Sequence, residues 1–210
     1  IKSFEFFDSF FLPNIKLENL MAVKYWEPDG NKIIYKEKVF DSSKKEWIRK
    51  VSYPKKTLPS SQEAFDKFLN IISISENKQT SFINITIEHE SPFIAKKWVD
   101  IIIYQINESM RMVDAHQAER SILYLNDEMN STNIKSIKDV ISKLLEKQMQ
   151  TLMLTSSSNF YVFKIIDSPV IAEKKSKPSR AIICILGTFL GFIFSLIFIF
   201  FQNYIKILKQ

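Results

Sequence analysis

A run of 21 residues without charge or proline, 181–201 (AIICILGTFLGFIFSLIFIFF), constrains this chain more than any other stretch. As a helix it rises roughly 30 Å, at ~1.5 Å per residue, which is about the thickness of a bilayer's hydrocarbon core. A buried helix of a globular protein seldom stays apolar on every side for that length. The run therefore predicts a C-terminal transmembrane helix, followed by a short tail at 202–210.

The composition excludes the common nucleotide sites. Glycine occurs at Gly30, Gly187 and Gly191 only, so neither a G-x-x-x-x-G-K loop nor a G-x-G-x-x-G turn is present. The single cysteine, Cys184, lies inside the apolar run, and the upstream part therefore has no disulfide. We expect no cofactor.

No residue pattern indicates catalysis or metal binding. His89 and His116 are far apart in sequence and lack the spacing of a metal site. Carboxylate pairs such as Asp127 with Glu128 suit a glycosidase only when they face each other across a cleft, and acidic residues are ordinary on exposed helix faces. We therefore expect no metal site and no catalytic residue, and we predict that the chain is not an enzyme.

The first part of the chain, 1–90, is predicted to be α+β. Residues 1–22 have helical spacing, broken at Pro13, and Ser60 with Glu63 has capping-box spacing. A period of two in apolar residues predicts strands. Strands are predicted at 32–40, paired through a hairpin loop with 45–53, and at 71–75, 81–90 and 160–166. The last is apolar on both faces, which predicts a central position in one small mixed sheet.

A hairpin of two long helices is predicted over 91–158. Ser91 can cap and Pro92 is tolerated at the first helical position, and helical spacing continues to about Asn130, roughly 55 Å at ~1.5 Å per residue. A second helix follows at 134–154. Its predicted heptad seam is Ile134, Ile137, Ile141, Leu144, Gln148 and Thr151, widened by Leu145, Met149 and Leu152.

The middle of the first long helix, 108–120 (ESMRMVDAHQAER), is highly polar. A helix of this length with a polar middle does not suit burial in a globule, so we expect an arm that projects and supplies the contact between protomers. The residues predicted for this contact are Trp98, Ile102, Ile106, Met110 and Arg111. The predicted fold is thus a membrane-proximal mixed sheet with a helical hairpin and a transmembrane helix.

The linker 159–180 carries much of the net charge of +6, in the run 174–180 (KKSKPSR). Such a basic run more often meets lipid phosphates than nucleic acid, so we expect a membrane contact and no nucleic-acid partner. Pro169, Pro178 and Arg180 are the predicted juxtamembrane residues.

Two features of the apolar run concern packing and orientation. Gly187 and Gly191 have the G-x-x-x-G spacing that lets membrane helices approach closely, although small residues are common in such helices by chance. Four basic residues precede the run, and Lys206 and Lys209 follow it. Charge alone therefore places the upstream domain in the cytoplasm.

Five stretches, in order along nearly the whole chain, carry a family resemblance. They are 1–7 (IKSFEFF), 81–107 (SFINITIEHESPFIAKKWVDIIIYQIN), 118–125 (AERSILYL), 146–154 (EKQMQTLML) and 161–186 (YVFKIIDSPVIAEKKSKPSRAIICIL). These stretches resemble the chain-length determinant proteins, the Wzz-type polysaccharide co-polymerases of bacterial inner membranes. The family's first membrane helix has no counterpart here, so we expect that an N-terminal segment is missing.

The resemblance implies a function. Such proteins set the modal length of O-antigen, or of a related surface polysaccharide made by a Wzy-type polymerase, and carry no catalytic residues. They form ring-like homo-oligomers, with a periplasmic domain between two membrane helices and both termini in the cytoplasm. The implied partners are other copies of the chain, the polymerase, the growing lipid-linked polysaccharide and the membrane. Against the charge argument, we therefore expect a periplasmic domain and a cytoplasmic tail.

Two other functional classes remain as alternatives. A membrane-anchored periplasmic adaptor of a transport or secretion system also uses a helical hairpin, but such adaptors usually carry glycine-rich turns. A glycan-processing enzyme would require an acidic cleft that the sequence does not locate.

Overall fold

The structure, a computed structural model, describes residues 1–157, 160–177 and 180–208. The chain divides into two compact units, Ile1–Ile171 and Ala172–Gln210. The helices of the first unit are α1 (Phe4–Phe6), α2 (Leu17–Met21), α3 (Ser61–Ile71), α4 (Pro92–Ser131) and α5 (Lys135–Ser157), and the second unit contains α6 (Arg180–Leu208). The predicted α+β class with a long helical hairpin is confirmed.

The strands form separate hairpins. They are β1 (Val23–Glu27) with β2 (Lys32–Tyr35), β3 (Phe40–Asp41) with β4 (Glu46–Trp47), and β5 (Ile72–Asn77) with β6 (Phe82–Ile87). Every pair is antiparallel and two-stranded. The prediction of one mixed sheet is therefore wrong for the described residues, because each strand pairs with the neighbour that its own turn brings back.

The turn after β1 explains why the predicted pairing of 32–40 with 45–53 is wrong. Gly30 and Asn31 have positive φ angles of 88° and 50°, and the Asn31 amide donates to the carbonyl of Pro28 at 3.2 Å. Two successive residues with positive φ favour a tight hairpin. Residues 32–35 therefore pair backwards with β1, and not forwards with 45–53 as predicted.

The predicted strand at 160–166 is also wrong. Its backbone groups bond to a side chain of α4 and not to a neighbouring strand. The Asn107 Oδ1 accepts from the amides of Val162 and Phe163 at 2.7 and 2.8 Å, and its Nδ2 donates to the Phe163 carbonyl at 3.1 Å. Buried backbone groups require partners, and one asparagine supplies them here.

An aromatic core joins the N-terminal segment to the start of α4. The segment passes from α1 into a π-helical turn at Phe7–Phe11 and a 3-10 turn at Leu12–Asn14. The Phe11 ring lies 4.7 Å from that of Phe68 on α3 and meets Trp98 of α4 edge-on at 5.9 Å. Burying aromatic side chains contributes about 1.5–3 kcal/mol each, so this cluster holds the base of α4 in place.

The predicted transmembrane helix is contradicted. Among the residues that the structure describes, no helix has the length and hydropathy needed to cross a membrane. The predicted inner-membrane location, with a periplasmic domain and a cytoplasmic tail, depended on this helix and is contradicted with it.

Candidate functional site: the helical arm

The arm is the part of the hairpin beyond the core, residues 110–157. Helix α4 has 40 residues, about 60 Å at ~1.5 Å per residue, and the Ser91 hydroxyl caps it by accepting from the Ile94 amide at 3.5 Å. Its buried residues are concentrated near the start, and Ala118 alone is buried farther along. There α4 packs on α5, so the arm is a two-helix structure with little interior.

The seam between the two helices matches the predicted one in part. Ile141 and Leu145 are buried as predicted, and Thr155, which was not predicted, is buried with them, while the predicted Ile137 and Leu144 are exposed. Helix α5 has two neighbouring stripes at heptad spacing. Apolar residues alone do not show which stripe faces α4, because the one that packs ends in a polar threonine.

The second stripe of α5 is consequently exposed. It consists of Ile137, Val140 and Leu144, preceded by Ile134 in the turn between the helices. Monomeric proteins rarely expose contiguous apolar surface of this kind, and such surface marks contacts with other molecules. We call these four residues the apolar stripe.

An open groove of about 640 Å³ lies between the helices of the arm. Its lining residues are Gln117, Arg120, Ser121, Tyr124, Leu125, Leu144 and Gln148. Amides, a guanidinium and hydroxyls supply both donors and acceptors, while the Tyr124 ring supplies an apolar face. This combination suits a ligand with many hydroxyl groups. Among the described residues that line the groove there is no carboxylate.

A polar cluster fixes the base of the arm. One member of the cluster is Asn107, whose side chain is buried. The others are Tyr161 and Asp114, and the Tyr161 hydroxyl donates to Asp114 Oδ2 at 2.8 Å. This hydrogen bond is the largest cause that raises the pKa of the Tyr161 hydroxyl. Asn107 and Asp114 are seven residues apart, on one face of α4, so residues 161–163 run along that face. Asn107 was not predicted as a functional residue. The available signal was a polar residue next to the apolar positions Ile102 and Ile106.

A half-buried histidine ties the start of α4 to α2. His89 Nδ1 accepts from the Ser91 amide at 2.9 Å, so Nε2 carries the proton and donates to the Asn19 carbonyl at 2.9 Å. The ring meets Trp98 edge-on at 4.8 Å. Burial lowers the pKa of His89, which keeps the imidazole neutral at pH 7. Among the described residues, no group of three His, Cys, Asp or Glu side chains could hold a metal ion.

The residues predicted for the arm contact divide into two groups. Trp98, Ile102 and Ile106 are buried in the core of their own chain, so these side chains are not exposed to another protomer. Met110 is 39% exposed, and Arg111 forms an ion pair with Glu108 one turn away on α4. The three apolar side chains thus pack within their own chain, and the contact between protomers stays a prediction.

The residues predicted near the membrane lie in different surroundings. Pro169 follows the segment held by Asn107, Pro178 lies outside the described residues, and α6 begins at Arg180. A Cβ atom added at Gly187 or Gly191 would meet no described atom within 4 Å. The predicted packing role of Gly187 and Gly191 stays a prediction.

Residues 117–204 match a family model described as the G-rich domain on putative tyrosine kinase. This chain carries that domain. The G-rich domain is a feature of polysaccharide co-polymerase and chain-length determinant proteins, so the resemblance found in the sequence is confirmed. No curated protein matches the chain. The G-rich domain links the chain to the regulation of polysaccharide chain length or export.

The matched range falls on the candidate site. It begins at Gln117, the first residue of the groove lining, and includes α5 with the apolar stripe. Despite the family description, Gly187 and Gly191 are the glycines of this range.

Proposed function

We propose that this chain is a non-catalytic regulator of the length of O-antigen, or of a related surface polysaccharide, and that it acts with a Wzy-type polymerase. The observation that carries the proposal is the match of the G-rich domain to residues 117–204, which contain the outer part of the arm. The arm acts by contact with the growing lipid-linked chain, and so changes the probability that elongation stops.

The groove chemistry supports contact with a sugar polymer. Gln117, Arg120 and Gln148 offer hydrogen bonds to hydroxyl groups, and the exposed ring of Tyr124 offers a flat surface. Affinity depends on how completely a ligand is enclosed. An open groove therefore suits repeated weak contacts along a moving polymer better than tight binding of a single sugar unit.

The apolar stripe supports assembly into a ring-like homo-oligomer. Ile137, Val140 and Leu144 form one exposed face of α5, and association is driven mainly by burial of such surface. Several arms in one ring would present several grooves to the same polymer, which raises the effective concentration of sites.

A glycan ladder tests the proposal. The full chain is expressed in a bacterial host that makes a Wzy-dependent polysaccharide but lacks its own length regulator, and the polymer is separated on a gel. We expect a random ladder to collapse to a preferred size band. A ladder that stays random while the protein is folded and oligomeric would refute the proposal.

A matched pair of tyrosines tests the groove. Tyr124 in the groove and Tyr104 nearer the core are both on α4 and are 65% and 64% exposed. We expect Tyr124→Ala to broaden or shift the size band and Tyr104→Ala to leave it unchanged. An equal effect of the two substitutions would exclude the groove as the contact.

A further inference from the structure

A basic loop follows the hairpin of β3 and β4. It covers residues 49–57 (RKVSYPKKT), which contain four cationic side chains and no acidic one. Neither the family match nor the groove includes this loop.

Arg49 closes the loop at its base. Its Nε donates to the Thr57 carbonyl at 2.9 Å and its Nη2 to the Lys56 carbonyl at 2.7 Å, while Nη1 and Nη2 contact the Glu63 carboxylate of α3 at 2.7 and 2.8 Å. Both charged side chains are largely buried, and the hydrogen bond from Arg49 lowers the pKa of Glu63 to about 2. The loop is therefore fixed to the helix and is preorganised.

The remaining cations of the loop are available to a ligand. Lys50, Lys55 and Lys56 are exposed, and among the described residues none of them forms an ion pair within 4 Å. The hydrogen bonds of Arg49 to the carbonyls of Lys56 and Thr57 bring the two ends of the loop together, so the three lysines belong to one closed loop. Close like charges repel each other, and an anionic partner relieves that repulsion.

The turn of the loop presents one aromatic ring. The Lys55 amide donates to the Ser52 carbonyl at 3.1 Å, and Tyr53 within this turn is 97% exposed. A tyrosine supplies a rigid apolar face and a polar hydroxyl at low cost in conformational entropy.

We propose that the basic loop binds an anionic stretch of polysaccharide, with carboxylate or phosphate groups on Lys50, Lys55 and Lys56 and a sugar ring on Tyr53. The inference rests on the proposed function for its ligand class. An anionic lipid surface would satisfy the same lysines. However, the most exposed apolar side chain of this region is the hydroxylated ring of Tyr53, at 97%, while Ile48, Val51 and Leu58 beside it are 38–59% exposed. A ring that carries a polar hydroxyl favours the face of a sugar over the acyl region of a membrane.

The test is binding of the full chain to a labelled polygalacturonate fragment at low salt, with dextran of the same size as the neutral control. The variant K50Q/K55Q/K56Q is compared with K2Q/K78Q/K97Q, which removes the same charge from lysines that are exposed elsewhere. We expect the loop variant to bind about tenfold more weakly and the control variant to stay within about twofold, given the modest strength of each exposed ion pair. Tyr53→Ser should weaken binding about threefold or more.

Equal binding by the two triple variants, or affinity that does not fall with added salt, would overturn the loop as an anionic site. Phosphatidylglycerol vesicles form the second arm of the test. If the chain binds these vesicles through the same lysines, and Tyr53→Ser leaves polygalacturonate binding unchanged, the partner is a lipid surface and the polysaccharide assignment falls. The glycan ladder is read separately, so length control can fail while loop binding persists, or the reverse.

Discussion

Single residues form two long-range links to helix α4. His89 bonds to a residue 70 positions earlier in the chain, and Asn107 bonds to residues 55 and 56 positions later. Both side chains bond to backbone groups of distant segments. Local sequence patterns carry no information on contacts at such separations, so neither link was predicted.

His89 predicts a dependence of stability on pH. Its pKa is lowered in the folded state from 6.5, so the unfolded chain binds more protons in mildly acidic solution. The stabilising contribution is complete above about pH 6.5 and is lost as the pH falls towards the lowered value. Urea midpoints between pH 8 and 5 should therefore fall more steeply for the wild type than for His89→Gln.

His116 is exposed and provides the control for that measurement. His116→Gln should retain the slope of the wild type. If the stability of His89→Gln falls with pH as steeply as that of the wild type, the pKa of His89 is not lowered in the folded state.

Among substitutions of polar residues, we expect the largest loss of unfolding free energy at Asn107. Asn107→Ala leaves the amides of Val162 and Phe163 and the carbonyl of Phe163 without this partner. Since a buried group left unsatisfied costs about 1–3 kcal/mol, we expect a loss of about 2–4 kcal/mol in unfolding free energy. Amide exchange at 162 and 163 should accelerate with it.

The variant Asn107→Asp distinguishes the contribution of the side-chain acceptor from that of the side-chain donor. It keeps the oxygen that accepts from both amides and loses the Nδ2 donor, so its stability should lie between those of the wild type and Asn107→Ala. A substitution to alanine that leaves amide exchange at 162 and 163 unchanged would contradict the role given to this side chain.

The helices and the strands differ in how far the sequence determines them. Helices α4 and α5 lie within a few residues of their predicted bounds because caps and apolar spacing are local signals. The capping box of Ser60 and Glu63 is present as predicted. The strands pair according to turn conformation, and the heptad seam depends on which of two stripes finds a partner. These choices are decided by packing that a single segment does not encode.

Two α5 residues of the arm should separate folding from assembly. Leu145 is in the seam and Val140 is in the apolar stripe. Leu145→Ala should lower the unfolding free energy by about 2–3 kcal/mol, in the lower range for a buried leucine. Val140→Ser should change it by no more than about 0.5 kcal/mol but should weaken the oligomer in sedimentation. Loss of stability without loss of assembly in Val140→Ser would show that the stripe belongs to the monomer.

The whole molecule carries its proposed contacts on two separate elements. The groove and the apolar stripe lie on the arm, within the range of the G-rich domain, while the basic loop is fixed to α3. The fold class and the family were predictable, because helix length, order of motifs and the sharp change from α+β to helical patterns extend over the whole chain. The membrane-crossing helix was predicted from hydropathy and the location from that helix together with the family resemblance, and both are contradicted.

Helix α4 runs without interruption from the aromatic core to the end of the arm, and it therefore acts as a lever. From Asn107 to Ser131 it extends about 36 Å at ~1.5 Å per residue, so a rotation of about 5° at the core moves the far end by about 3 Å. Close-packed cores transmit such shifts because they cannot absorb them locally. A change in the packing of Trp98 would thus reposition Tyr124 and the groove without altering any residue that touches a ligand.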